Sequence, residues 1–246
     1  MMAGHDRAVL QFSGGKDSTA LLYMARPWLD RIDVVHVDTG SMFPHMADHV
    51  RATADRLGVA LTVLRSDSAA WTAAHGLPAD IVPTESAEAA PYIAERRPRL
   101  VNYMACCHAN LMAPMHDYVA RSGVTLVLRG SKAADARVGV PDGHVEGGIG
   151  YRQPLWSWTD ADVFAYLRRK RVDLPAQYAA GVNDGLDCWF CPAHLAHGGV
   201  EKLMYLRQAH PDLWPSIAAN IRTVAESARR GVTALDAAWA IADEQE

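Results

Sequence analysis

The sequence predicts an α/β fold: a doubly wound, mostly parallel sheet with a C-terminal helical extension. Three observations carry this. Strand-like and helix-like segments alternate along the chain, which is the order of βαβ units. The apolar run Ala8-Val9-Leu10 leads through Ser13-Gly14-Gly15 into Ala20-Leu21-Leu22-Tyr23-Met24, a buried strand, a tight turn and a helix in succession. With 246 residues, half of them hydrophobic, the chain is long enough for one large core.

The first strand is expected at Ala8–Phe12, and the helix after it at Ser18–Ala25, stopped near Pro27. Ile32–Asp38 is a second strand, followed by the loop Thr39–Pro44. A helix with apolar residues at helical spacing runs from Met46 to Leu57 and ends at Gly58, and Ala60–Leu64 is a third strand. Residues 66–100 are broken by Pro83, Pro91 and Pro98 and read as an irregular lid or specificity segment. Asn102–Ala120 reads as helix with Pro114 as a kink or break. Val124–Leu128 is a strong strand, and Arg129–Gly150, rich in glycine and charge, is a loop. Thr159 is the expected N-cap of a helix that runs to Lys170. Residues 174–200 read as loop, and the chain is helical from Val200 onward, fraying at its last residues. The expected division is 1–199 as the main α/β domain and 200–246 as a helical extension packed on it.

Ser13-Gly14-Gly15-Lys16-Asp17-Ser18 is the organising stretch. Adjacent glycines let the backbone turn its N–H groups toward one point. The helix that follows offers unpaired N–H groups and a dipole that favour an anion, and Lys16 adds a charge. The stretch is not a Walker A loop, which needs G-x-x-x-x-G-K-[ST]. In a doubly wound sheet, nucleotides bind at the carboxyl ends of the strands. Ser13–Ser18, Asp38-Thr39-Gly40 and Arg129-Gly130-Ser131-Lys132 are therefore expected along one rim, with Asp38 either touching the nucleoside or capping its own turn.

Net charge is −4, so no whole-chain field draws nucleic acid. Basic clusters at Arg96-Arg97-Pro98-Arg99 and Arg168-Arg169-Lys170-Arg171 read first as solvated ends, and as polyanion docking sites second. No run of 18 apolar residues suggests a membrane span, and the N-terminal stretch has no apolar signal core, so the cytosol is the expected compartment.

All four cysteines fall in two pairs, Cys106-Cys107 and Cys188-Trp189-Phe190-Cys191, the second followed by Pro192. In a reducing compartment such grouping points to metal or catalysis before disulfides. A C-x-x-C can be a redox dithiol, four thiolates suit an iron–sulfur cluster, and zinc is disfavoured by the adjacent pair. His108 and His194 are near enough in sequence to hydrogen-bond cluster sulfurs or simply to lie at the surface. His36 reads as a core or rim histidine. Trp156, Trp158 and Trp189 read as core and cluster shielding.

The Ser-Gly-Gly-x-Asp-Ser loop resembles the pyrophosphate loop of the N-type ATP pyrophosphatases and of the adenylyl-sulfate and phosphoadenylyl-sulfate (PAPS) reductases. The cysteine pattern is that of the [4Fe-4S] members. Val37-Asp38-Thr39-Gly40-Ser41-Met42-Phe43-Pro44 is similar to the family's V-D-T-G-x-x-F-P. Gly130-Ser131-Lys132 through Arg137 resembles its G-x-R…R loop, with Lys132 in the arginine place. Arg152-x-Pro154-Leu155-x-x-Trp158-Thr159-x-x-Asp162-Val163 matches its R-x-P-L-x-x-W-[ST]-x-x-D-V run, and Leu174-Pro175 with Tyr178-x-x-Gly181 precede the second cysteine pair as they do there. The likeness covers about residues 8–195. It implies the Rossmann-like fold of the adenine nucleotide α-hydrolases, with Ser13, Gly14, Gly15, Lys16, Asp17, Ser18, Asp38, Thr39, Gly40 and Gly130 binding ATP or a related nucleotide. Lys16, Asp17, Lys132 and Arg137 would be catalytic, with Mg²⁺ bridging phosphates. Cys106, Cys107, Cys188 and Cys191 would hold a [4Fe-4S] cluster.

Two departures bear on function. The reductases' closing E-C-G-[IL]-H motif has no counterpart here, and a thiolate nucleophile is needed for their thiosulfonate step. Their C-C-x-x-R-K is Cys106-Cys107-His108-Ala109-Asn110-Leu111, which loses two cations from the sulfate site. The expected function is therefore adenylation of an acceptor by an ATP pyrophosphatase-type enzyme, for sulfur transfer or nucleic-acid modification. The alternatives are a sulfonucleotide reductase that borrows a partner's thiol, and a non-catalytic nucleotide-binding subunit. Candidate partners are an adenine nucleotide, a nucleic-acid or small-molecule acceptor, a sulfur donor or thiol-reductant protein, and a second copy of the chain; no membrane is expected.

Overall fold

Strand β1, Ala8–Gln11, sends successive side chains to opposite faces of its sheet. Ala8 and Leu10 enter one buried cluster and Val9 another. The same split recurs in β2, Ile32–Asp38, where Val34 goes one way and Val35 and Val37 the other. A strand covered on both faces has no fully polar side to show, which is why apolar residues dominate both faces of these segments.

The computed structural model describes residues 1–88, 92, 99–135, 140–183, 185–193 and 199–243. The chain forms two compact units, one of Met1–Asp67 with Ala109–Asp187, the other of Ser68–His108 with Cys188–Glu246. Arg137 and His194, both expected near the chemistry, lie outside the described residues, as do Arg96 and Arg97.

The first unit holds a six-stranded sheet. Its order is β3 (Leu61–Arg65), β2, β1, β6 (Leu126–Leu128), β8 (Ile149–Arg152), β7 (Val145–Glu146). Every neighbouring pair is parallel except β7 with β8. One face is covered by α1 (Lys16–Met24), by α2 (Pro44–Leu57) through Val50, and by α6 (Asp160–Arg169) through Val163 and Leu167. The other is covered by Met115 and Val119 of α5, Ala113–Ser122. This is the doubly wound α/β architecture expected from the sequence. Its strand order reverses at β1, with β2 and β3 to one side and β6 and β8 to the other.

Thr159 caps α6 as predicted: its hydroxyl accepts from the Asp162 amide at 3.2 Å, and Asp162 accepts from the Thr159 amide at 2.9 Å. The expected loop 129–150 is shorter than predicted, because β7 and β8 begin within it. They are weak sequence signals, two exposed residues and a run interrupted by Gly150, and the ladder to β6 supplies the pairing that local propensity does not.

The second unit corrects the irregular reading of 66–100. It contains α3 (Ser68–His75) and a parallel pair, β4 (Leu77–Ala79) with β5 (Leu100–Asn102). Strands of three residues joined across a long intervening segment leave no periodic trace. The predicted helix from Asn102 is also divided, into α4 (Tyr103–Cys107), a π-helical turn at His108–Met112, and α5 in the first unit. Pro114 sits in the first turn of α5, where a missing N–H costs nothing. A four-residue turn, α7 (Ala176–Ala179), lies in the first unit. The C-terminal helical stretch is α8 (Gly199–Ala209) and α9 (Trp214–Asp243), and Val224 of α9 packs with Ala79 and Leu100.

Two predictions follow from local structure. Arg171, just past α6, holds φ at 55°, the one non-glycine residue with positive φ among those described. A left-handed L-residue costs roughly 1–2 kcal/mol, so Arg171→Gly should raise unfolding free energy by about 1 kcal/mol in urea titrations. His36, His45 and His49 all have pKa values lowered, chiefly by burial. Below the ordinary imidazole value of about 6.5 the unfolded chain binds protons that the folded one refuses. Stability should therefore fall as pH drops from 7 to 5, and His36→Gln should flatten that fall, read from denaturation midpoints at both pH values.

Candidate nucleotide site and cysteine group

The loop between β1 and α1 is held by its own hydroxyls. Ser13 Oγ and Ser18 Oγ are 3.0 Å apart, Ser18 donates to the Gly15 carbonyl at 3.1 Å, and Thr19 donates to the Gly14 carbonyl at 3.5 Å. Gly14 has φ of 82°, and a Cβ there would lie 2.5 Å from Val50 Cγ2, so both conformation and space require glycine. Gly15 is the N-cap of α1 and provides no side-chain cap. The amide of Lys16 instead donates to the Tyr178 hydroxyl at 2.9 Å. That oxygen stands where an acceptor oxygen of a bound anion would be received.

The β6 loop meets the first loop at the reversal point. A Cβ on Gly130 would lie 2.9 Å from both Asp17 C and Ser18 N, so this close backbone approach also requires glycine. Two residues on, Lys132 extends back to Asp17. Lys16 and Lys132 are only 5% and 3% exposed, and lysines so buried need partners. Asp17 supplies both: one carboxylate oxygen is 3.0 Å from Lys16 Nζ, the other 2.7 Å from Lys132 Nζ. Asp160, at the start of α6, places one oxygen 3.3 Å from each ammonium. Asp135 is 2.8 Å from Lys132 Nζ and accepts the Lys132 amide at 2.7 Å. Burial alone would lower the Lys132 pKa, but Asp135 and Asp17 outweigh it and hold the ammonium above the usual lysine range. Two ammoniums thus face three carboxylates beside a helix N-terminus. Phosphate oxygens must compete with Asp160 and Asp135 for the lysines, or arrive with a cation that the carboxylates accept.

Ser13, Gly14, Gly15, Lys16, Asp17, Ser18, Gly130 and Lys132 are therefore brought together. Asp38 accepts the Gly40 amide at 2.9 Å, the turn-capping alternative, and the Ser41 amide donates to Thr39 Oγ1 at 3.4 Å. His36 is buried, with Nδ1 donating to the Phe12 carbonyl at 2.8 Å, as a rim histidine should. Sequence reasoning missed Asp135, Asp160 and the position of Tyr178. Tyr178 was visible as part of a motif without a role. Asp160 sits two residues before the capping Asp162 and looked like ordinary first-turn charge.

All four cysteines belong to the second unit, and no disulfide joins them. Cys106 and Cys107 end α4. Cys188 and Cys191 close a turn, with the Cys191 amide donating to the Cys188 carbonyl at 3.2 Å. Burial pushes the Cys191 thiol up to about 12, with the Ala193 backbone and Lys202 opposing the rise and the charges of Cys188 and Cys106 adding to it. Among the described residues no three His, Cys, Asp or Glu side chains are set around a single metal ion. His108 is exposed, and Trp189 packs edge-on against Phe190 with ring centroids 5.7 Å apart. Trp158 packs against the first unit's core and Tyr166.

Gly130→Ala should weaken nucleotide binding at least about tenfold while the fold survives, because a methyl would push the two loops apart; calorimetry with circular dichroism checks this. Asp160→Asn removes one competitor for both lysines. Without divalent cation, it should bind pyrophosphate about tenfold more tightly than wild type, a gain of about 1.4 kcal/mol.

Comparisons with known proteins bear on the fold and the family. A PAPS reductase from Candida auris, solved as a phosphate complex, superposes with a TM-score of 0.52 at 20% identity, over 74% of this chain and 81% of that one, a likeness of fold. Two uncharacterized proteins of Methanocaldococcus jannaschii, MJ0973 and MJ0066, are 22% and 23% identical over 209 and 235 residues. Those alignments cover 82% and 91% of this chain but 44% and 43% of the relatives, so the chain spans less than half the length of either. The family model of the phosphoadenosine phosphosulfate reductase domain matches residues 7–194. On that match the chain belongs to the PAPS reductase family of the adenine nucleotide α-hydrolase superfamily, a family of nucleotide-using enzymes.

Proposed function

We propose that this protein binds ATP at the glycine loop and adenylates an acceptor, for sulfur transfer or nucleic-acid modification. The observation that carries this reading is the Lys16–Asp17–Lys132 bridge at the mouth of the loop. An acceptor oxygen attacks the α-phosphorus, the bond to the β-phosphate oxygen breaks, and pyrophosphate leaves with that electron pair. Lys16 and Lys132 carry the charge growing on the leaving pyrophosphate, and the α1 N-terminus receives phosphate oxygens once the Tyr178 hydroxyl gives way. Asp17, with an ammonium on each oxygen, is a positioning group and not a base. Catalysis of this kind is mostly placement and charge neutralisation. Mg²⁺ entering with the nucleotide would find carboxylates in Asp17 and Asp160, and would offset the site's excess negative charge.

The residues of the second unit suit a [4Fe-4S] cluster, with Cys106, Cys107, Cys188 and Cys191 as its thiolates. Such a cluster commonly takes four cysteine thiolates, and all four of these cysteines fall in the second unit. Bound there, it would supply a one-electron centre or a structural tie. Iron would also overcome the burial that keeps Cys191 protonated.

Neutral Asn110 and Leu111, in place of the reductases' basic pair, favour adenylation over sulfonucleotide reduction. Anaerobically purified protein should be brown and carry about four irons per chain. With ATP, Mg²⁺ and a competent acceptor it should release pyrophosphate, and Lys132→Ala should lower that rate at least about a hundredfold. Sulfite release from PAPS with added thioredoxin would overturn the reaction, and a colourless protein with one zinc would overturn the cluster.

A further inference from the structure

A second concavity lies in the first unit, with a volume of about 750 Å³ and no residue of the glycine loop in its lining. It is bordered by the C-terminal end of α1, the segment after it, and the end of α6. Three aromatic side chains, Tyr23, Trp28 and Tyr166, contribute to its wall, and three cations, Arg26, Arg152 and Lys170, to its rim. Asp142 is the one carboxylate in the lining; it stands 3.9 Å from an Arg152 side chain that is itself 57% exposed. Lys170 Nζ lies 5.6 Å from the centre of the Tyr166 ring, and the Arg169 guanidinium 5.4 Å from it. Two of the four basic residues at 168–171 thus stand over an aromatic ring, while all four are exposed.

We infer that this groove binds a single-stranded nucleic-acid segment, its bases against the aromatic wall and its phosphates on Arg26, Arg152 and Lys170. The chemistry selects that ligand. A polyanion alone would need the cations but not three rings, and an apolar ligand would need the rings but not the cations. A duplex keeps its base faces stacked inside and cannot offer them. The acidic chain as a whole repels such a ligand, so the attraction is local and must be sensitive to salt. The groove meets the glycine loop through α1, whose nine residues span about 13 Å between Lys16 at one end and Tyr23 and Met24 at the other. A strand held in the groove is therefore about one helix length from the nucleotide. This names the acceptor class of the proposed reaction and rests on that reading for its purpose, though not for its binding.

The test is fluorescence polarisation with labelled single-stranded RNA of roughly ten nucleotides, a length within common single-strand site sizes, the duplex of the same sequence, and an acidic peptide. ATP binding is measured in parallel on each protein. Single strand should bind at least about tenfold more tightly than duplex or peptide. Trp28→Ala should weaken it at least about fivefold, the loss of one stacked base. Because Trp28 also packs on the core, Arg152→Ala and Lys170→Ala serve as exposed-side-chain variants, each weakening binding and lowering the salt slope by about one. Equal binding of duplex and single strand would overturn the inference, as would preference for the peptide or affinities unmoved by all three substitutions. Loss of ATP binding in wild type with the RNA result intact would sink the nucleotide reading and leave the groove standing.

Discussion

Two buried ammoniums share one carboxylate. Asp17 places one oxygen on Lys16 and the other on Lys132, and the rest of the nucleotide site depends on that bridge. Neither lysine could be buried to this degree alone, since an unpaired buried charge costs several kcal/mol. The bridge requires the β1 and β6 loops to touch, and that requires a residue without a side chain at Gly130. The touching loops in turn require β1 and β6 to be neighbours, which is the point where the strand order reverses. One ion triad therefore links sheet topology, a glycine and the charge available to a phosphate chain.

The polar groups around the glycine loop already have partners within the chain. Tyr178 occupies the Lys16 amide and Asp160 spans both ammoniums, so a nucleotide bound as proposed would exchange partners instead of filling a void. Such exchange makes net affinity a small difference between large terms. On the proposed reading it would also favour a ligand with several anionic oxygens, or one carrying its own cation, because such a ligand could replace the contacts it displaces. In the proposed reaction the carboxylate excess would make an accompanying cation part of recognition as well as of catalysis.

The cysteines show the same dependence on folding at longer range. Cys106-Cys107 and Cys188–Cys191 belong to segments that leave and re-enter the first unit's sequence, yet both lie within the second. Parallel pairing of β4 with β5 and the packing of Val224 give that unit its own small core. Burial raises the pKa of the Cys191 thiol, which disfavours its thiolate in the absence of a compensating charge.

Much of this was legible in the residues. The apolar runs of β1, β2 and β6 announce strands covered on both faces, and the glycine pair between strand and helix announces the anion turn, because both signals are local. Thr159 and Asp162 declared a helix start for the same reason. The three-residue strands β4 and β5, and β8, were not legible, since their pairing energy comes from partners far along the chain. Asp160 was hidden similarly: beside Thr159 it is one more first-turn acid, and only the packing of α6 against α1 brings it 3.3 Å from two ammoniums. Composition and spacing determined the fold class, and the motifs the family. The tertiary structure decided which charges meet, because Coulomb energy depends on distance in space and the sequence records only distance along the chain.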